Sequence, residues 1–251
     1  MHGVGSAKNI YLLKIFQKIK EIEVTVNGFV KSAEVSLEVI SRDCQSKKGF
    51  FFMRTFFRDD IEKFQDYGIL IPNRTIYFGS ESYDEDEGCE ESGVDFESAK
   101  KVIKNLIYLD NKSDEAITLY WNSPGGDWNR GMAIYDVILG LRSPVIMVGL
   151  GMVRSMGTII MQACKKRFLS PNCDFMIHDG EEANYGESKT FEAWGNYSKL
   201  SRIKMYEIFL KKIRKKHTDY TIKKIEQLCT HDYIMTGQEA VDLGLADKVL
   251  K

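Results

Sequence analysis

Two hydrophobic rhythms alternate along this chain, and the places where one gives way to the other mark its elements. Residues 10–20 have helical spacing (Ile10, Leu12, Leu13, Phe16, Ile19), and 22–40 switch to a two-residue period (Ile22, Val24, Val26, then Val35, Leu37, Val39). Asn27-Gly28 between apolar runs is a hairpin signal. The aromatic run Phe50 to Phe57 predicts an element packed on the main domain, with a partner-binding surface as the alternative. Thr75 to Phe78 reads as a buried strand. The acidic stretch that follows, Asp84 to Glu87 and Glu90-Glu91, reads as a solvated loop inserted over about 80–93.

From residue 94 the pattern is regular. A helix is predicted over 95–109, a strand over 116–121, a turn at 122–126, and a helix over 128–141 that buries Met132, Tyr135, Ile138 and Leu139. A strand at 144–149 follows, with a helix starting at or just before Ser155. Residues 174–178 read as a strand ending at His178. A long helix spans 191–215, its basic end suiting the negative pole of the helix dipole. Thr236-x-x-Glu239 is a capping box for a short helix that Gly244 ends. This strand–helix alternation, with crossovers long enough for parallel pairing, indicates an α/β fold. The expected division is an N-terminal extension, 1–70, and a main domain, 71–251.

Charge and composition narrow the classes. Lys plus Arg number 35 against 36 Asp plus Glu, a formal net charge of −1, so nothing pulls the whole chain toward nucleic acid or an anionic membrane. No apolar run reaches the ~18–20 residues that span a bilayer. The opening Met1 to Ser6 is small and polar, unlike a secretory signal. The five cysteines form no C-x-x-C, which favours free thiols in a reducing compartment, with the cytoplasm as the expected location, over disulfides or a zinc site.

Acyl transfer needs a nucleophile, a base to take its proton, and N–H donors facing the developing oxyanion. Ser155 lies at a strand-to-helix junction among Gly149, Gly151 and Gly157, and the Met156 N–H near the helix start is free to face negative charge. The turn at Gly125-Gly126 follows the neighbouring parallel strand, so Gly126 is the candidate for the second donor. On spacing alone, an ordinary helix N-cap at Ser155 and a simple turn at the glycines are the favoured explanations. Among four histidines, His2 lies in the polar opening, His217 in a basic loop where solvation is expected, and His231 beside Asp232. His178 is the base by elimination, and a hydrogen-bonded structural histidine fits it about as well.

Four segments then resemble one family. Asn122-Ser123-Pro124-Gly125-Gly126 resembles the N-S-P-G-G signature of Clp protease proteolytic subunits, and Gly151 to Gly157 their nucleophile segment. Ser170-Pro171-Asn172 with Phe175 to His178 resembles the histidine segment, and Asp232 to Thr236 with Leu243 to Asp247 the aspartate segment. The resemblance covers about 70–251. It implies Ser155, His178 and Asp232 as the triad, with Gly126 and Met156 giving the oxyanion-hole N–H groups. It further implies a ClpP/crotonase-like spiral of ββα units with a protruding handle helix at 191–215, and two stacked heptameric rings, a tetradecamer, enclosing the sites. The implied activity is serine-type hydrolysis of unfolded polypeptides, with no cofactor of the chain's own and ATP used only by an AAA+ unfoldase partner. Neither nucleic acid nor membrane is expected as a partner.

Three departures accompany the resemblance. Val153 and Arg154 replace small residues before the serine, and Arg154 is expected to point into solvent. Asp179 to Tyr185 replaces the glycine-rich strand that pairs with substrate. The serine-to-histidine interval, 178 − 155 = 23 residues, is short, which a tight turn near Lys165-Lys166 would absorb. The competing functions are an inactive ring subunit beside an active paralogue and a crotonase-type acyl-CoA enzyme.

Overall fold

The structure is a computed structural model that describes residues 58–79, 83–84, 90–91, 93–181 and 186–251. The elements expected over 10–57, the aromatic run included, lie outside the described residues. The compact unit described here runs from Arg58 to Lys251.

It opens with α1 (Arg58–Tyr67), then β1 (Ile69–Leu70) and β2 (Thr75–Phe78). The acidic stretch is not wholly loop: β3 (Tyr83–Asp84) and β4 (Glu90–Glu91) pair as a short antiparallel ribbon. Then come α2 (Phe96–Lys112), β5 (Ile117–Ser123), α3 (Trp128–Gly140), β6 (Val145–Arg154), α4 (Met156–Ala163), β7 (Lys166–Leu169) and β8 (Asp174–Ile177). The chain closes with α5 (Ser188–Ile213), α6 (Ile222–Cys229), β9 (Tyr233–Thr236), α7 (Gly237–Leu243) and β10 (Lys248–Val249). The helices start where the side chains permit. Asp95 and Ser98 form a reciprocal capping box on α2, Asp127 caps α3, and the expected Thr236–Glu239 box caps α7, which Gly244 ends at φ 93°.

The sheet runs β1-β2-β5-β6-β7-β10, parallel except for the β1–β2 edge. Its central strand is longer than the apolar run 144–149 suggested. β6 continues through Gly149 and Gly151 to Arg154, and it forks the sheet. Residues Ile146 to Gly149 pair with β7, whereas Met152 to Arg154 pair with β8, whose other edge carries antiparallel β9. Glycine is required at the fork. A Cβ on Gly149 would lie 2.4 Å from Val153 Cγ2, and Gly151 has φ 53° with the Asn122 amide oxygen 2.8 Å from where its Cβ would be. Asn122 uses that oxygen to accept the Met152 N–H at 3.1 Å, replacing a ladder bond lost at the bend.

The core lies between the sheet and α2, α3 and α4, with Leu106, Leu119, Ile134, Met147, Ile160 and Phe175 fully buried. Trp121 stacks on Phe78 at 3.9 Å between ring centroids. Leu139 departs from expectation: it is 58% exposed, because the buried stripe of α3 runs through Gly131, Ile134 and Ile138 and turns residue 139 away. Cys164, Cys173 and Cys229 are free thiols whose burial pushes their pKa up to about 12, which leaves them unreactive. Cys44 and Cys89 lie outside the described residues. No described helix is long and apolar enough to cross a membrane.

The last strand is held by a buried arginine. Arg167 donates to Gln162 Oε1 (2.7 Å), the Gly244 carbonyl (3.0 Å) and Asp247 Oδ1 (2.5 Å), while its own backbone N–H donates to Asp247 Oδ2 (2.8 Å). Burial acts to raise the Asp247 pKa, but the hydrogen bonds and charge of Arg167 outweigh it and hold the carboxyl below its usual 3.8. A carboxyl lowered in the folded state stabilises the fold above its unfolded pKa, and that contribution is lost as the pH falls through the folded value. Asp247→Asn is expected to cost on the order of 2 kcal/mol in urea denaturation at pH 7, the carboxylate being partly solvated. The difference from the parent should shrink as the pH is taken below 4.

Candidate active site

Each reactive side chain is placed by the forked strand or by what pairs with it. Ser155 is the residue between β6 and α4. It has φ 47° and ψ −119°, a conformation rare for a residue with a Cβ. Three bonds hold it there: its N–H donates to the Met176 carbonyl of β8 (2.8 Å), and its own carbonyl accepts from the Thr158 N–H (2.9 Å) and hydroxyl (2.6 Å). It caps no helix amide with its side chain, so the N-cap explanation fails and the hydroxyl is free for other work.

His178 follows β8 directly, and Asp232 directly precedes β9. Since Ile177 pairs with Tyr233 at the end of that antiparallel ladder, the next residues on the two strands are His178 and Asp232 themselves. The imidazole bridges the other two groups: Nε2 lies 2.8 Å from Ser155 Oγ and Nδ1 lies 2.9 Å from Asp232 Oδ1. The histidine side chain is 21% exposed and the carboxylate 63%, so the aspartate sits on the rim. Asp179 anchors the chain just beyond the imidazole. Its N–H donates to the Cys229 carbonyl (2.9 Å) and its Oδ1 accepts from the Tyr206 hydroxyl of α5 (2.5 Å). Burial and this carboxylate hold the Tyr206 phenol above its ordinary range, so it remains a donor.

The double glycine approaches the serine from the β5 side. Gly125 and Gly126 have φ 121° and 136°, and the loop is pinned by the Val94 N–H donating to the Gly125 carbonyl (2.5 Å) and the Asp127 N–H donating to the Val94 carbonyl (2.8 Å). A Cβ on Gly125 would stand 2.5 Å from Ser155 Cβ, and one on Gly126 would stand 2.4 Å from the Val94 nitrogen. Among the described residues the backbone N–H groups of Gly126 and Met156 make no hydrogen bond. Both residues line, with Ser155 and His178, a cleft of about 390 Å³ whose apolar side is formed by Trp128, Ile159 and Met205. A larger cleft of about 500 Å³ lies at the amino end of β6, lined by Arg142, Lys165, Lys166, Lys212 and Lys215, and holds none of these groups.

Four of the five residues singled out in the sequence therefore line one cleft, and the fifth, Asp232, reaches it only through its bond to His178. The other histidines do not: His231 is exposed, and His217, expected to be solvated, is exposed but bonded to the Asp242 carbonyl at 2.8 Å. Arg154 differs from expectation. Rather than pointing into solvent, its guanidinium meets the Asp174 carboxylate through two bonds, Nε to Oδ1 at 2.9 Å and Nη2 to Oδ2 at 2.5 Å. The hydrogen-bonding roles of Asn122, Asp174 and Tyr206 escaped the sequence reading because their partners are remote in the chain. Only the polarity of Asp174 at the head of an otherwise apolar strand hinted at a task. Residues 179–181 form no strand, and 182–185 lie outside the described residues. Between the serine and the histidine, two residues, Cys164 and Lys165, connect α4 to β7.

The Clp protease family model matches residues 63–251. A solved structure of a mutant ClpP1 from Listeria monocytogenes superimposes with a TM-score of 0.60 at 26% identity, covering 72% of this chain and 94% of that one. Gly125→Ala should displace the serine by forcing a Cβ into it. We expect at least ~10²-fold slower reaction of Ser155 with a fluorophosphonate, as misplacement by about 1 Å costs, with the melting temperature recording whether the fold survives.

Proposed function

The chain belongs to the Clp protease family, and from that membership we propose that it is a serine endopeptidase acting on unfolded polypeptides, with Ser155 as nucleophile, His178 as general base and Asp232 as the orienting acid. The observation that carries this reading is the unbroken line from Ser155 Oγ through His178 to Asp232, at 2.8 and 2.9 Å.

With Nδ1–H donating to the Asp232 carboxylate, the Nε2 lone pair faces the serine hydroxyl. Nε2 takes the hydroxyl proton as Oγ attacks the scissile carbonyl, and Asp232 stabilises the imidazolium that forms. The carbonyl oxygen becomes an oxyanion, which the free N–H groups of Gly126 and Met156 receive; each such donor is worth about 10²–10³ in rate. Collapse breaks the C–N bond as Nε2–H protonates the leaving amine, giving an acyl-serine. Water, deprotonated by the same imidazole, releases the acid and restores the hydroxyl. An inactive ring subunit would be expected to lack one of these groups, and a crotonase-type enzyme would place carboxylates, not a Ser–His pair, beside the paired N–H groups.

The handle helix favours assembly. α5 has 26 residues, about 39 Å at 1.5 Å per residue. Its C-terminal half packs on the body through Met205, Phe209 and Ile213, while Phe191, Trp194 and Leu200 of the first half are 57%, 49% and 65% exposed. A row of large apolar side chains projecting into water marks a protein–protein surface. We assign it to a second copy of the chain, joining stacked heptameric rings around an interior chamber, with an AAA+ unfoldase as feeder.

Fluorophosphonate labelling of the parent and its loss in Ser155→Ala test the chemistry; peptide hydrolysis should fall by about 10⁴–10⁶. An unlabelled parent would overturn the peptidase reading. Leu200→Glu is expected to reduce the particle mass in light scattering, and an unchanged mass would remove α5 from the interface.

A further inference from the structure

The strand that carries the serine and the strand that carries the histidine are held in register by little backbone. β6 meets β8 over three residues only, Met152 to Arg154 against Asp174 to Met176, after the glycine bend has taken β6 away from β7. β8 is otherwise bordered by β9, which carries Asp232. A slip of one residue between β6 and β8 moves the imidazole by about 3.3 Å relative to the hydroxyl, enough to break a 2.8 Å contact. Across this short ladder lies the Arg154–Asp174 pair. Arg154 immediately precedes the serine, and Asp174 lies four residues before the histidine. Their alignment is diagonal, Arg154 opposite Met176 and Asp174 opposite Met152, so the bridge runs along the strands and opposes sliding. Two parallel bonds, at 2.9 and 2.5 Å, fix the angle of the guanidinium as well as its distance.

We propose that Arg154 and Asp174 are a pair of positioning residues whose two-point bridge locks the nucleophile strand against the base strand and keeps the strained Ser155 aligned with His178. This inference rests on the peptidase reading for its catalytic consequence, but its structural content can be measured apart from activity. Neither side chain lines the reaction cleft, so the pair acts through Ser155 and His178 and not on the substrate. With side-chain exposures of 36% and 34% the pair contributes little to global stability. Its effect therefore separates from that of a merely structural ion pair.

The test compares the parent with Arg154→Ala, Asp174→Ala, the double variant, and the charge swap Arg154→Asp with Asp174→Arg. Four quantities are read: kcat and KM on a small fluorogenic peptide, amide hydrogen exchange at Ser155, melting temperature, and particle mass. Each single variant should lower kcat by about 10–100-fold with KM changed by less than about twofold, and should speed exchange of the Ser155 amide that bonds to Met176. The double variant should fall no further than the singles, since the two residues act as one unit, and the swap should recover part of the loss. Parent-like kcat and exchange in the singles, additive losses, or losses that track melting temperature or mass would overturn the clamp. If the parent itself fails to hydrolyse peptide, the peptidase reading falls, while the exchange measurement still decides for or against the clamp.

Discussion

The bend in β6 at Gly149 to Gly151 is the constraint on which the rest depends. A straight strand would stay paired with β7 to its end and would carry Ser155 past the edge of the sheet. By bending, β6 gives up its later ladder bonds on the β7 side and takes up β8 instead, so one strand delivers the serine beside a second strand that ends in the histidine. The cost is local: two glycines without side chains, one of them at positive φ, and an Asn122 side chain recruited to accept an orphaned N–H. The strained serine is part of the same arrangement. Its conformation costs of order 1–3 kcal/mol, offset by the bonds to Met176 and Thr158.

The pairing of β8 with β9 completes the geometry by register alone. No long side chain has to reach across to unite His178 with Asp232, because they are the next pair beyond the ladder's end. The donors on the opposite side of the cleft likewise come from backbone placement. Val94 engages the carbonyl of Gly125 and the N–H of Asp127, and the N–H of Gly126 between them makes no hydrogen bond among the described residues. The site is thus assembled chiefly from strand ends and one helix start, elements whose relative motion is limited by the buried core beneath them.

Charge plays two distinct parts in this chain. Arg167 and Asp247 form a largely buried network that closes the C-terminal strand onto β7, and removing one partner would leave a charge without compensation. Arg154 and Asp174 are 36% and 34% exposed, and geometry rather than stability is what two parallel bonds beside the serine supply. The same distinction separates the two halves of α5, one buried against the body and one presenting apolar side chains outward.

Periodicity and short local motifs determined the alternation of strands and helices and the capping of α7, whereas the five candidate site residues were brought together as a set only by the resemblance to a family, since spacing alone favoured a helix cap at Ser155 and a simple turn at the glycines. Periodicity placed the end of β6 five residues early, since a strand interrupted by glycines loses its apolar rhythm at the point where it bends. It missed β7, a four-residue strand with only two apolar positions, and also α6, although Ile222, Ile225, Leu228 and Cys229 recur there at helical steps, and it sent Arg154 to solvent and buried Leu139. Those questions were decided by the tertiary structure. Whether a serine hydroxyl caps a helix or faces an imidazole, and whether an arginine is solvated or bridged, depends on groups 20 to 80 residues away. Linear spacing carries no information about such partners until the sheet brings them within hydrogen-bonding distance.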